Sequence, residues 1–196
     1  MTIEIVISST NPGKIAEIKE IMSGLDVRWL TQDDVGGWPE IEETGDSYIQ
    51  NASIKARAVS MKTGKATLAD DSGIEVDALK GAPGLHSARW AGGTDQDNNE
   101  KLRELMAGVH RDRRGARYRC AAVVVFPEGH GIVAEGRCEG RIGEEPRGGG
   151  GFGYDPWFIP AGETRSMAEL SASEKHAISH RGKALRGLIA GIEERL

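Results

Sequence analysis

The chain has 196 residues, with 25 Lys and Arg against 30 Asp and Glu, a formal charge of −5 at neutral pH. That length suits one domain or a compact two-lobed one, which buries about 70% of its unfolded surface and needs no disulfide or metal staple. A pI near 5.6 argues against a duplex-binding protein, whose basic stripe lifts the pI above about 9, and the longest uninterrupted apolar run, Cys120 to Phe126, falls far short of the ~18 residues of a membrane-spanning helix.

The N-terminus, Met1-Thr2-Ile3-Glu4-Ile5-Val6-Ile7, has no basic region before its apolar stretch and is expected to be a first strand rather than a signal peptide. The β-branched run Ile3 to Ser8 breaks at Ser9-Thr10-Asn11-Pro12-Gly13. A helix is expected next, with Asn11 as N-cap, Pro12 at its first position, an apolar stripe on Ile15, Ile18, Ile21 and Met22, and Gly24 closing it. Val27 to Leu30 reads as a second strand. A polar loop leads to a helix from about Ser47 to Thr63, where Tyr48, Ala52, Ala56 and Val59 recur at helical spacing and Asn51 and Lys55 flank the seam.

Ala66 to Asp70 is expected as a strand, Ser72-Gly73 as a turn, and Ile74 to Ala78 as a half-exposed strand. Residues 81–94 read as a loop, and Asp95 to Met106 as a helix on Leu102, Leu105 and Met106. Tyr118 to Phe126 and Ile132 to Glu139, joined at Pro127-Glu128-Gly129-His130-Gly131, read as a hairpin. A Gly-rich loop from Arg147 to Tyr154 precedes a short strand at Trp157–Ile159, and the C-terminus is helical on Ala184, Leu185, Leu188, Ile189 and Ile192. The class is mixed α/β in a single domain over residues 1–196.

Glycine supplies 27 of the 196 residues, about twice the usual share of roughly 7%. The glycines gather in short loops beside Asp, Asn, Ser and Lys, where backbone comes close to a ligand. Ser9 to Lys14 sits between a strand and a helix N-terminus, a ready anion site; it is not a Walker A loop, and a simply capped turn is the competing reading. Glu42, Glu43 and Asp46, with Asp70 and Asp71, form an acidic set without His or Cys, which suits Mg²⁺; solvated acids near a turn are the competing reading. Because neighbouring strand residues face opposite sides, Asp70 and Asp71 reach one site only if the chain turns there.

Gly148 to Pro156 embeds Phe152, Tyr154 and Asp155 among glycines, as a close-approach loop offering an aromatic for stacking or as core packing. Glu174-Lys175 and Ser179-His180-Arg181 bring strong donors to a helix junction, for carbonyl or phosphate oxygens or for a cap and a surface ion pair. The run Arg111, Arg113, Arg114, Arg117, Arg119 reads as a solvated face. The histidines show no zinc-ligand spacing, and Cys120 and Cys138 read as small buried hydrophobes in a reducing compartment.

The order of these motifs resembles the inosine triphosphate pyrophosphatase family, the XTP/dITP diphosphatases. The matching residues are Ser9-Thr10-Asn11-Pro12-Gly13-Lys14, Glu43-Thr44-Gly45, Asn51-Ala52 with Lys55-Ala56, and Ala69-Asp70-Asp71-Ser72-Gly73. They continue with Ala82-Pro83-Gly84, Ser87-Ala88-Arg89-Trp90-Ala91-Gly92, Phe152-Gly153-Tyr154-Asp155-Pro156 and Ser179-His180-Arg181. Trp157, where the family has an aliphatic residue, and the four-glycine run before Phe152 depart from the pattern.

The resemblance implies a strongly twisted mixed sheet flanked by helices, two lobes with a nucleotide cleft between them, and the hairpin of about residues 116–140 in the second lobe. It implies a cytoplasmic homodimer that acts on no nucleic acid or membrane and hydrolyses dITP, ITP or XTP to monophosphate and pyrophosphate, keeping those bases out of DNA and RNA. Mg²⁺, with Mn²⁺ as a substitute, is the implied cofactor, held by Glu43 and Asp71. Asp71 is also the implied proton acceptor. Ser9, Thr10, Asn11, Pro12, Gly13 and Lys14 would hold phosphate, with Lys55 adding charge and Ser72 contacting substrate. Phe152, Gly153, Tyr154, Asp155, Lys175, His180 and Arg181 would form the nucleoside pocket. A pyrophosphatase for modified pyrimidine nucleotides and a non-catalytic nucleotide sensor are the alternatives.

Overall fold

The computed structural model describes residues 3–195, so the expectation for Met1 and Thr2 lies outside the described residues. Six strands, β1 (Ile3–Ile7), β2 (Val27–Leu30), β3 (Ala66–Val76), β4 (Gly115–Val125), β5 (Gly131–Ile142) and β6 (Phe158–Pro160), form one sheet in the order β2-β1-β3-β4-β5-β6. β1 runs parallel to β2 and β3, whereas β5 and β6 are antiparallel, so the sheet is mixed. Among the described residues five α-helices accompany it: α1 (Pro12–Ile21), α2 (Tyr48–Thr63), α3 (Asp95–Met106), α4 (Ala172–Ile178) and α5 (His180–Glu193). The expected α/β class holds, and α3 has the expected bounds.

The chain divides into two compact units. The first comprises residues 1–71, 120–136 and 181–196, and the second residues 72–119 and 137–180. In the first unit the period-2 alternation of the strands sorts side chains onto two faces. Ile5 and Ile7 of β1, Leu68 of β3 and Ala122 and Val124 of β4 pack with Ile18 and Met22 of the α1 region and with Ala184, Leu185, Leu188 and Ile192 of α5. The intervening residues pack on the other side: Val6 with Val59 of α2, and Ala69, Val123 and Val125 with Ala52 and Ala56 of α2. Strands covered on both faces read as continuous apolar runs, as these do. In the second unit the core gathers Ile74, Val76, Leu102, Met106, Tyr118, Ile142, Trp157 and Phe158. Trp157, the departure from the family pattern, is one of its buried members.

Three local expectations are corrected. No turn stands at Ser72-Gly73: β3 continues from Ala66 to Val76, because both residues are small enough to lie in an extended strand, and Ile74 N–H is met by the Ser87 hydroxyl at 2.9 Å. Helix α1 stops at Ile21 with Met22 as its cap, two residues before Gly24, and Met22 N–H bonds to the Ile18 carbonyl at 3.0 Å. Arg114 is not solvated. It is buried, and its guanidinium donates to the carbonyls of Ile142, Met106, Val109 and Gly143 at 2.6–3.3 Å, binding the end of α3 to the end of β5. Residues 81–94 contain a 3₁₀ segment, Gly84–Arg89. Trp90 is half-buried against its own unit's core with the Lys101 ammonium 4.7 Å from its ring centroid, so this aromatic finds cover within its own chain.

Candidate active site

The strand alternation that builds the first unit also separates the two neighbouring aspartates. Asp70 shares the parity of Leu68 and faces α1 and α5; Asp71 shares that of Ala69 and faces α2. Their partners follow from this. Asp70 Oδ2 accepts from Arg181 Nε, at the start of α5, at 3.0 Å and lies 3.5 Å from Lys14 Nζ of α1. Arg181 Nη1 donates to Glu17 Oε2, also on α1, at 2.6 Å. Burial by itself would raise the Asp70 carboxyl, but Lys14, Arg181 and Lys55 outweigh it and hold it well below the ordinary carboxylate range. Asp70 is therefore a buried ionised hub joining β3, α1 and α5.

Asp71 has a different setting. Its Oδ2 accepts from Asn51 Nδ2 at 3.0 Å, and its Oδ1 lies 4.0 Å from Lys55 Nζ. Lys55 Nζ donates to Glu43 Oε1 at 2.6 Å and to the Asp70 carbonyl at 2.7 Å. Asn51 and Lys55, four residues apart on α2, lie on one helix face, and Ser47 caps that helix by accepting from Gln50 N–H at 3.2 Å. Burial raises the Asp71 carboxyl and the Glu43 charge adds to this, more than Lys55 and Asn51 lower it, so it stands above its ordinary range. Lys55 is held charged in spite of burial by Asp70, Asp71 and Glu43. A raised carboxylate beside a fixed cation marks Asp71 as a candidate functional group.

The Ser9 to Lys14 segment joins β1 to α1. Asn11 caps the helix, its Oδ1 accepting from Lys14 N–H at 3.1 Å, and Ser9 Oγ accepts from Asn11 N–H at 3.2 Å. Thr10, Asn11 and Pro12 are exposed, and Lys14 keeps 21% of its side chain accessible. Capping and anion binding are thus compatible: the cap occupies one N–H of the first turn, and α1 still presents its dipole with the Lys14 ammonium beside it.

The donor set fits a hard divalent cation. Glu43 and Asp71 offer only carboxylate oxygens, and the Lys55 ammonium already lies beside both, a positive charge where a metal's charge would be welcome. Among the described residues no group of three or more His, Cys, Asp or Glu side chains could enclose a metal. Mg²⁺ takes one or two carboxylates and fills its other positions with water and phosphate oxygens, so the Glu43 and Asp71 pair is a donor set of its kind.

In the second unit, Asp155 is buried and accepts from Tyr118 Oη at 3.2 Å, Phe152 N–H at 3.1 Å and Lys175 Nζ at 2.7 Å. Lys175 also lies 4.8 Å from the Phe152 ring centroid, so it is a buried partner of Asp155; Glu174, the surface member, bonds instead to Ser171 and Arg165. Tyr154 is core, its hydroxyl donating to the Ser87 carbonyl at 2.8 Å, whereas Phe152 is half-buried. His180 stacks on Tyr118 with centroids 4.5 Å apart and planes 6° from parallel. Gly148 has φ of +79° and abuts the Ala168 carbonyl, where a Cβ would come within 2.5 Å. The glycine-rich run is thus built for close approach of its own backbone.

Sequence reasoning passed over Asn51, Glu17 and Tyr118 as site residues. The placement of Asn51 four residues before Lys55 was a usable signal; Glu17 and Tyr118 are marked by no motif, because only the folded chain brings them to Arg181 and Asp155.

Comparison with known proteins finds a family and relatives over nearly the whole chain. A model of the Ham1 family matches residues 5–191. A dITP/XTP pyrophosphatase of Bacillus licheniformis is 46% identical, over 97% of this chain and 98% of its own; one of Streptomyces coelicolor is 45% identical over 98% of both. The structure of a HAM1 protein from Coxiella burnetii superposes with a TM-score of 0.88 at 39% identity, over 98% of this chain and all of its own.

Proposed function

The chain belongs to the Ham1 family, and from that premise we propose that it hydrolyses non-standard purine nucleoside triphosphates, dITP, ITP and XTP, to the monophosphate and pyrophosphate. Relatives named for that activity and alike over nearly the whole chain support the reading. The structural observation that carries it is the setting of Asp71, a buried carboxylate fixed by Asn51 and placed beside Lys55 and Glu43.

In the proposed reaction a water oxygen bonds to the α-phosphorus and the bond from that phosphorus to the bridging oxygen breaks, releasing pyrophosphate. Asp71 takes the proton of the attacking water. Lys14 and the segment from Ser9 to Gly13 at the start of α1 bind phosphate oxygens, and Lys55 adds positive charge opposite the developing negative charge. Mg²⁺ or Mn²⁺, held by Glu43 and Asp71, would supply charge neutralisation on the polyphosphate. Ser72 is proposed as a substrate contact, and Phe152, Gly153, Tyr154, Asp155, Lys175, His180 and Arg181 as the nucleoside pocket. A 6-oxo purine presents an acceptor where adenine presents an amino donor, so donors of His180 and Arg181 would suit the former, Arg181 through N–H groups other than the Nε and Nη1 that bond Asp70 and Glu17.

A triphosphate panel with Mg²⁺ tests the proposal. Pyrophosphate from dITP, ITP and XTP, with little from dATP, is the expected result; orthophosphate release, or preference for modified pyrimidines, overturns it. The sensor alternative requires binding without turnover, which the intact Asp71, Lys55 and Glu43 group disfavours. A cytoplasmic homodimer belongs to the same proposal and rests on the family resemblance; a monomeric mass by light scattering at micromolar concentration refutes the dimer. No helix among the described residues is long and apolar enough to cross a membrane.

A further inference from the structure

Asn51 is buried and uses both ends of its side-chain amide. Its Oδ1 accepts from Gly45 N–H at 2.8 Å and its Nδ2 donates to Asp71 Oδ2 at 3.0 Å. The orientation is dictated by the partners, since a backbone N–H can only donate and an ionised carboxylate only accept. A flipped amide would set two donors face to face and two acceptors face to face. Gly45 lets the amide come this close: a Cβ there would lie 2.8 Å from Asn51 Oδ1 and 2.6 Å from Gln50 Cβ. The neighbouring Gln50 Oε1 accepts from Asp46 N–H at 2.7 Å, so two adjacent amides of α2 fasten the loop that carries Glu43.

We propose that Asn51 is a positioning residue: by clamping Gly45 and Asp71 with one amide, it fixes Asp71 Oδ2 and turns Oδ1 toward Lys55 and Glu43 as the working oxygen. One rigid group thus sets the distance between the loop bearing Glu43 and the strand bearing Asp71, two elements far apart in sequence. The inference rests on the pyrophosphatase reading for its kinetic consequence, though not for its geometry.

The test uses Asn51→Ala, which removes the clamp, and Gly45→Ala, which displaces it while deleting no polar side chain of the site. Loss of a partner that orients a ligand or base costs about 10- to 100-fold. Each folded variant is therefore expected to lose kcat on dITP by that factor at saturating Mg²⁺, with KM changed by less than about threefold. Mn²⁺ binding to the free protein, read by electron paramagnetic resonance, is expected to weaken, and a crystal structure of Asn51→Ala should show the Asp71 carboxylate rotated. A merely structural residue would lower the folded fraction, and apparent kcat with it, but would leave kcat per folded molecule, Mn²⁺ affinity and the Asp71 carboxylate orientation unchanged. Unchanged kcat with an unmoved Asp71 carboxylate overturns the proposal, and should Asn51→Ala fail to fold, Gly45→Ala decides. If the wild type releases no pyrophosphate from any triphosphate, the functional reading fails by itself, and the Asp71 orientation and Mn²⁺ binding still judge the clamp.

Discussion

Arg181 donates its Nε to Asp70 Oδ2 across 3.0 Å, joining two side chains 111 positions apart in the chain, both almost fully buried. The Arg181 charge is thereby held against burial by Asp70 and Glu17. Removing one partner of a buried pair costs up to about 3–5 kcal/mol, an upper figure here because Lys14 still lies 3.5 Å from Asp70. Arg181→Ala is accordingly expected to lower the urea midpoint and thermal stability markedly. A loss below about 1 kcal/mol, the range of an exposed pair, contradicts the buried hub. Because the folded Asp70 carboxyl is lowered, its contribution is complete well above its ordinary value of 3.8 and is lost only as pH falls below that.

Asp71 is expected to matter for rate more than for stability. Asp71→Asn keeps a group of nearly the same size, yet removes the carboxylate that would take a proton and hold a cation. Turnover should fall by at least about 10²-fold, the scale of a lost general base, with a thermal midpoint close to that of the wild type. Near wild-type turnover at saturating Mg²⁺ removes Asp71 from the reaction.

Since the candidate metal ligands are all carboxylates, activity should vanish on exhaustive chelation and return with Mg²⁺ or Mn²⁺, hard ions that take oxygen ligands. Full activity in the presence of excess chelator refutes the assignment of Glu43 and Asp71 as ligands.

Cys120 and Cys138 are both buried thiols. Burial pushes the Cys120 thiol far up, and the Asp70 carboxylate beside it pushes further. Reactivity follows the thiolate, so a thiol reagent at pH 8 should leave the native protein essentially unmodified and label both cysteines in denaturant. Rapid labelling of Cys120 in the native state contradicts its packing.

Much of this protein was legible in the sequence alone. Local signals are complete within a few residues: the Asn11 cap with Pro12, the helical seam of Tyr48, Ala52, Ala56 and Val59, and the apolar face of α5 each carry their own geometry. The ordered motifs also point to the family, because they stand in short stretches with strict spacing. What required tertiary structure was everything decided by partners distant in the chain. The turn expected at Ser72-Gly73 yields to a continuous strand, since small residues permit either and only their neighbours choose. Arg114, one of five arginines that read alike, is the buried one because four carbonyls converge on it. The division of labour between Asp70 and Asp71 was half visible: alternation dictates opposite faces, but which helix covers each face, and so which aspartate meets Arg181 and which meets Asn51, is fixed only when α2, α1 and α5 pack on the sheet.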